Sequence, residues 1–322
     1  MTRVELCRTG KSETKLSGMW IALAAAALML AGCGGSSSEP AAPAAAAATC
    51  NPADPATSGE CGTVLLGFTD ADGDFLSYTV DVLSLTLETA GGAIVETLPQ
   101  ETRVNFSDYV DLTEFVSAAT VPPGTYVAGT IHLDYSNAEV IVEAGGESKP
   151  AVVVDADGNP LSQTGLKIVL SNRDRLVVTR GRTSLLTVDF DLEASHAVDI
   201  ISTPAIASAE PFVVAEIDPV DTKEIRVRGR FIEANESGMY YTVAIRPFHD
   251  RIGDFGRMQV FIADDTAFEV NGSEFTGIEG LRALNASGLG TLTIAQGTLD
   301  VAEREFTAAV VLAGSSVPGI ER

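Results

Sequence analysis

Between Gly62 and Leu192 the chain alternates apolar and polar residues with a period of two, which confines it to β-strands with one buried face. Leu76, Tyr78, Val80 and Val82 share one phase, and Leu83, Leu85 and Leu87 take up the opposite one. A slip of one residue turns every later side chain to the other face, so the shift reads as a β-bulge within one long strand. Shorter strands are expected at Ala93–Leu98, Arg103–Phe106, Tyr126–Tyr135, Glu139–Glu143, Ala151–Val154, Leu166–Leu170, Arg175–Thr179 and Ser184–Leu192. Turn residues at Pro122-Pro123-Gly124, Gly145-Gly146, Asp157-Gly158 and Arg180-Gly181 separate them. Asp108–Ala119 is the one helix expected in this half. Many short strands at such spacing predict a β-sandwich over residues 50–201.

Residues 202–221 hold Pro204, Pro211 and Pro219 among small and acidic residues, and read as a linker with one short strand. Alternation resumes in residues 222–322 with Ile225, Val227, Gly229 and Phe231, then Tyr241, Val243 and Ile245, then Met258, Val260 and Ile262. Ile278, Leu281 and Leu284 fall at helical spacing before the strands around Leu292–Ile294 and Phe306–Leu312. Five strands with a helix between the third and fourth is the order of an OB-like barrel. The fold class expected is therefore all-β, a sandwich followed by a smaller OB-like β domain.

The N-terminus is of another kind. Arg3, Arg8, Lys11 and Lys15 precede an apolar run from Met19 to Leu30 that ends in Leu30-Ala31-Gly32-Cys33. About a dozen residues is too short for a membrane core that needs about 20 residues of helix, so the run reads as the h-region of a signal peptide over residues 1–32. The pattern resembles a bacterial lipoprotein cleavage site, which implies lipid on Cys33. Gly34 rather than Asp follows that cysteine, and the resemblance then implies the outer membrane. Residues 33–49 are Gly/Ser- and Ala/Pro-rich and read as a disordered tether.

Loss of residues 1–32 would leave 17 Lys+Arg against 42 Asp+Glu, a net charge of −25. Such a charge disfavours nucleic acid, whose phosphates need a basic footprint, and leaves the acyl anchor rather than the protein surface to hold the membrane. Cys50 and Cys61 are then the remaining thiols; in an oxidising compartment this spacing reads as a disulfide that pins the tether to the first strand.

Thr69-Asp70-Ala71-Asp72-Gly73-Asp74 between two strands, Pro123-Gly124-Thr125-Tyr126 opening another, and Val188-Asp189-Phe190-Asp191 in a late strand resemble the lipoprotein family known as domain of unknown function 4382. The likeness covers roughly Gly62–Ile200 and implies a β-sandwich on an envelope lipoprotein, with no activity attached. Residues 222–322 more loosely resemble domain of unknown function 5666, through their strand spacing and the Val227-Arg228-Gly229 entry.

Two clusters carry possible ligand chemistry. Asp70, Asp72 and Asp74 alternate as oxygen donors for Ca²⁺ would, yet the glycine falls at position four instead of the sixth position of an EF-hand. The competing reading is a tight turn whose carboxylates cap backbone amides, and it applies equally to Asp155–Asn159 as a hairpin tip. Arg226, Arg228 and Arg230 on one strand face read either as a seat for an acidic glycan or lipid phosphate, or as partners of neighbouring carboxylates. His132, His196 and His249 are scattered, and no nucleophile elbow, HExxH or phosphate loop is present. The expectation is a non-enzymatic envelope lipoprotein that binds a surface glycan or protein partner. The alternative is a hydrolase of cell-surface polysaccharide.

Overall fold

The computed structural model describes residues 50–314 apart from 53, 55, 71–74, 171–174, 210–212, 218–223, 247–252 and 301. Among the described residues thirteen strands precede the barrel: β1 (Gly62–Thr69), β2 (Phe75–Thr89), β3 (Ile94–Glu96), β4 (Thr102–Asn105), β5 (Leu112–Val121), β6 (Gly124–Ala144) and β7 (Glu147–Val154) come first. Then follow β8 (Gln163–Val169), β9 (Leu176–Val178), β10 (Thr183–Phe190), α1 (Leu192–Ser195), β11 (His196–Asp199), β12 (Ala205–Ala209) and β13 (Val213–Ile217). One sheet runs β13-β10-β1-β5 and the facing one β11-β12-β7-β6-β2-β3, with β4 on β2 and β8 and β9 on β6. Tyr78, Val80, Val82, Leu85 and Leu87 of β2 bury against Val64, Leu66, Phe68, Val188 and Phe190 of the opposite sheet. The expected bulge is present, since the β2–β6 register shifts between Val82 and Ser84.

One expectation is corrected. Residues 108–119 form no helix; Phe106–Tyr109 make a single 3-10 turn and Leu112–Val121 is the strand β5. This strand lies between β1 and a barrel strand, and Thr113–Ala118 are all buried. Burial on both faces replaces alternation with a continuous run, which period-two reading does not detect. The stretch 202–221 contains β12, paired with β7 and β11, and β13, paired with β10, so both sheets take strands from it.

The barrel consists of β14 (Glu224–Asn235), β15 (Tyr240–Ile245), β16 (Arg257–Val270), β18 (Leu292–Asp300) and β19 (Glu305–Ala313). Its accessories are the hairpin strand β17 (Ser273–Thr276) and the helix α2 (Gly277–Ser287). Order β14-β15-β16-β19-β18 closes through β14–β18, with β16 and β19 parallel, as an OB-like barrel requires. Leu281 and Leu284 of α2 are fully buried, on the face that the 3.6-residue period marked. Gly229 lies where a Cβ would run into the Ala244 carbonyl, which is why the β14 rung opposite β15 carries no side chain.

The described residues belong to one compact unit. β14 pairs in parallel with β5, Glu224–Val227 against Leu112–Phe115, so sandwich sheet and barrel wall are continuous. Phe115 meets Phe306 of the barrel interior with ring centroids 6.3 Å apart. No helix among the described residues is long and apolar enough to cross a membrane.

Cys50 and Cys61 are joined as a disulfide just ahead of β1. Closing a loop this short contributes about 3 kcal/mol in the chain-entropy model. Cys50→Ser with Cys61→Ser should therefore lower the urea-unfolding free energy by about that amount, and unreduced protein should weigh two hydrogens less than reduced protein. Two alkylatable thiols in unreduced protein would contradict the pairing.

Candidate functional site

Where β10 ends, the chain must cross from one sheet to the other, and α1 makes that crossing in four residues. Asp191 caps it, its carboxylate accepting from Ala194 N at 2.8 Å. The amide of Leu192 donates to Asp70 Oδ1 at 3.1 Å, at the end of β1. Asp70 is 1% exposed, so this acid sits inside the sandwich and orders the crossover. Asp72 and Asp74 lie outside the described residues, as do Cys33 and His249.

The crossover delivers His196 as the first residue of β11. Its Nδ1 lies 3.0 Å from the Leu192 carbonyl and its Nε2 lies 2.7 Å from the Tyr78 hydroxyl. A carbonyl only accepts, so Nδ1 carries the proton and Nε2 accepts from Tyr78. The Tyr135 hydroxyl lies 3.2 Å from that of Tyr78 and extends the polar chain. Phe75, Tyr78 and Phe190 surround the imidazole edge-on, with centroids 5.2, 4.9 and 6.2 Å away. Burial drives its pKa down to about 4, against a smaller upward pull from the Leu192 carbonyl, and it is neutral at neutral pH. Burial likewise pushes the Tyr135 phenol up to about 12.

Beside His196 opens a cleft of about 610 Å³, walled by Ala194, Ser195, Ala197, Ser208 and Ala209 and closed by the Asp155–Gly158 tip of the β7–β8 hairpin. Its tip is a capped turn, as expected: Asp155 Oδ1 accepts from the amides of Asp157 at 3.0 Å and Asn159 at 2.8 Å. The Asn159 amide, first among these bonds, holds the Asp155 carboxyl below the usual range and keeps it ionised. Among the described residues no three His, Cys, Asp or Glu side chains gather as a metal site.

The arginine ladder points elsewhere. Arg226 pairs with Glu114 Oε2, and Arg228 Nε lies 2.9 Å from Glu114 Oε1. Glu114 is 0% exposed, and the Arg226 guanidinium stands 5.8 Å from the Tyr109 ring centroid. Arg230 turns to the Gly290 carbonyl at 3.1 Å. The ladder thus sits at the β5–β14 seam, with two of its charges directed at one buried carboxylate. Glu114 gave no sign of itself in sequence, because its partners are more than a hundred residues away.

Residues 61–201 match the family model described as Domain of unknown function (DUF4382). No curated protein and no solved structure matches the chain.

Proposed function

We propose that the chain is a non-enzymatic binding module of the bacterial cell envelope, lipid-anchored through Cys33 and presented to the periplasm or cell surface. Its partner is a surface glycan or an envelope protein. The observation that supports binding over hydrolysis is the state of the polar groups at the cleft. Both His196 nitrogens are engaged inside the sandwich, and Asp155 Oδ1 accepts from the amides of its own turn. A general base needs a free nitrogen or carboxylate oxygen within reach of the proton it takes. His196 has neither the free atom nor the basicity.

The family matched by residues 61–201 has no activity attached to it, and the looser likeness of residues 222–322 to domain of unknown function 5666 belongs to the same proposal. The anchor is tested directly. Cells fed an acyl analogue should label the protein, and Cys33→Ser should abolish the label and release the protein from the membrane fraction. A Cys33→Ser protein that still partitions with membranes would overturn the lipid anchor. For the ligand, the full chain should sediment with polysaccharide or protein extracted from its own envelope. Absence from both pellets would count against a binding role.

A further inference from the structure

The alternation that sends Tyr241, Val243, Met258 and Val260 into the barrel turns Tyr240, Thr242 and Ala244 of β15, and Arg257, Gln259 and Phe261 of β16, outward. Register sets these in three rungs: Tyr240 opposite Phe261, Thr242 opposite Gln259, Ala244 opposite Arg257. The two rings are half-buried, with centroids 5.4 Å apart and planes inclined by 53°. Past Phe261 the same row continues through Thr307 of β19 and Thr298 of β18.

The aromatic rung is held from behind. Asn235 Nδ2 donates to the Tyr240 hydroxyl at 3.0 Å, which fixes the ring from the preceding strand. Gly238 lies so close that a Cβ there would stand 2.7 Å from a ring carbon, so the β14–β15 turn rests directly against Tyr240. Two oriented rings beside hydroxyl, amide and guanidinium groups form a platform with one apolar end and one hydrogen-bonding end.

We propose that this face of the barrel binds a neutral oligosaccharide, with Tyr240 and Phe261 taking the C–H face of one sugar and Thr242, Gln259 and Arg257 the hydroxyls of the next. Sugars present just this pairing of an apolar ring face with a rim of donors and acceptors. Thr and Gln each offer both roles. A net charge of −23 opposes polyphosphates and polyuronates, so charge favours a neutral chain over an acidic one. The inference rests on the binding-module reading and narrows it to one face and one class of ligand.

Affinity electrophoresis of the full chain in gels carrying a soluble neutral polysaccharide tests it, with hydroxyethylcellulose, glycogen and glycol chitin as probes and polygalacturonate as the acidic control. At least one neutral probe should retard the protein and polygalacturonate should not. Tyr240→Ala or Phe261→Ala should weaken that retardation about tenfold, and Tyr240→Phe, which keeps the ring, should retain it. Gln259→Ala, a change at an exposed position, should weaken binding without disturbing the fold read by circular dichroism. No retardation by any neutral probe, or equal retardation by polygalacturonate, would overturn the inference. Neutral-glycan retardation unchanged in Tyr240→Ala, Phe261→Ala and Gln259→Ala would leave the binding module standing and remove this face from it.

Discussion

Replacing Glu114 with alanine should lower the unfolding free energy by about 3–5 kcal/mol, the largest single effect expected in the molecule. Its carboxylate is buried between Arg226 and Arg228 on the strand that joins sandwich to barrel. Burial pushes the Glu114 carboxyl above its ordinary range, and the two guanidiniums offset only part of that. The cluster therefore contributes little net stability while it is complete. Removing the acid alone leaves two cations facing one another at a seam largely closed to water. Glu114→Leu combined with Arg226→Met and Arg228→Met should recover the stability to within about 1–2 kcal/mol of the parent, because an apolar replacement of a buried ion cluster is nearly neutral. Urea denaturation of the three proteins separates these cases. A Glu114→Ala protein as stable as the parent would contradict the buried cluster.

The second large effect is a pH dependence. His196 has a folded pKa of about 4 against an ordinary value of 6.5, so below pH 6.5 the unfolded chain binds the proton that the folded chain refuses. Stability from this residue is complete above pH 6.5, falls as pH drops towards 4, and levels off below it. The loss amounts to about 3 kcal/mol at 1.36 kcal/mol per pKa unit. Tyr78 and Tyr135 face the imidazole from β2 and β6, and Asp155 and Asp157 lie across the cleft. Neither phenol titrates in this range. The difference between the parent and His196→Gln, followed by urea denaturation from pH 7 to 4, should carry the His196 component alone. Parallel curves for the two proteins over that range would contradict a buried neutral imidazole.

These two sites also show what the sequence made legible. β2 announced its face and its bulge, because Tyr78, Val80 and Val82 alternate and Leu85 resumes in the other phase. Leu281 and Leu284 marked α2, and strand order alone marked the barrel. β5 stayed hidden, since a strand buried on both faces has no polar phase to display. The Asp155 turn was readable because its partners lie within four residues. Asp70 was not legible as the anchor of α1, because Leu192 is 122 positions away. The His196 pairing with Tyr78 spans 118 positions, and nothing local to either residue encodes it. What local chemistry writes can be read from local residues, whereas seams and buried polar chains are written by topology.

We propose, as above, that this chain binds an envelope partner without transforming it. The most direct test is a time course of the full protein with polysaccharide purified from its own envelope, with chain length followed by size-exclusion chromatography and new reducing ends by a colorimetric assay. Polysaccharide that co-elutes with the protein while its size and reducing ends stay constant is the predicted result. A steady rise in reducing ends that disappears in His196→Gln, or in variants of Asp155 and Asp157, would contradict the account and make the cleft a hydrolase active site.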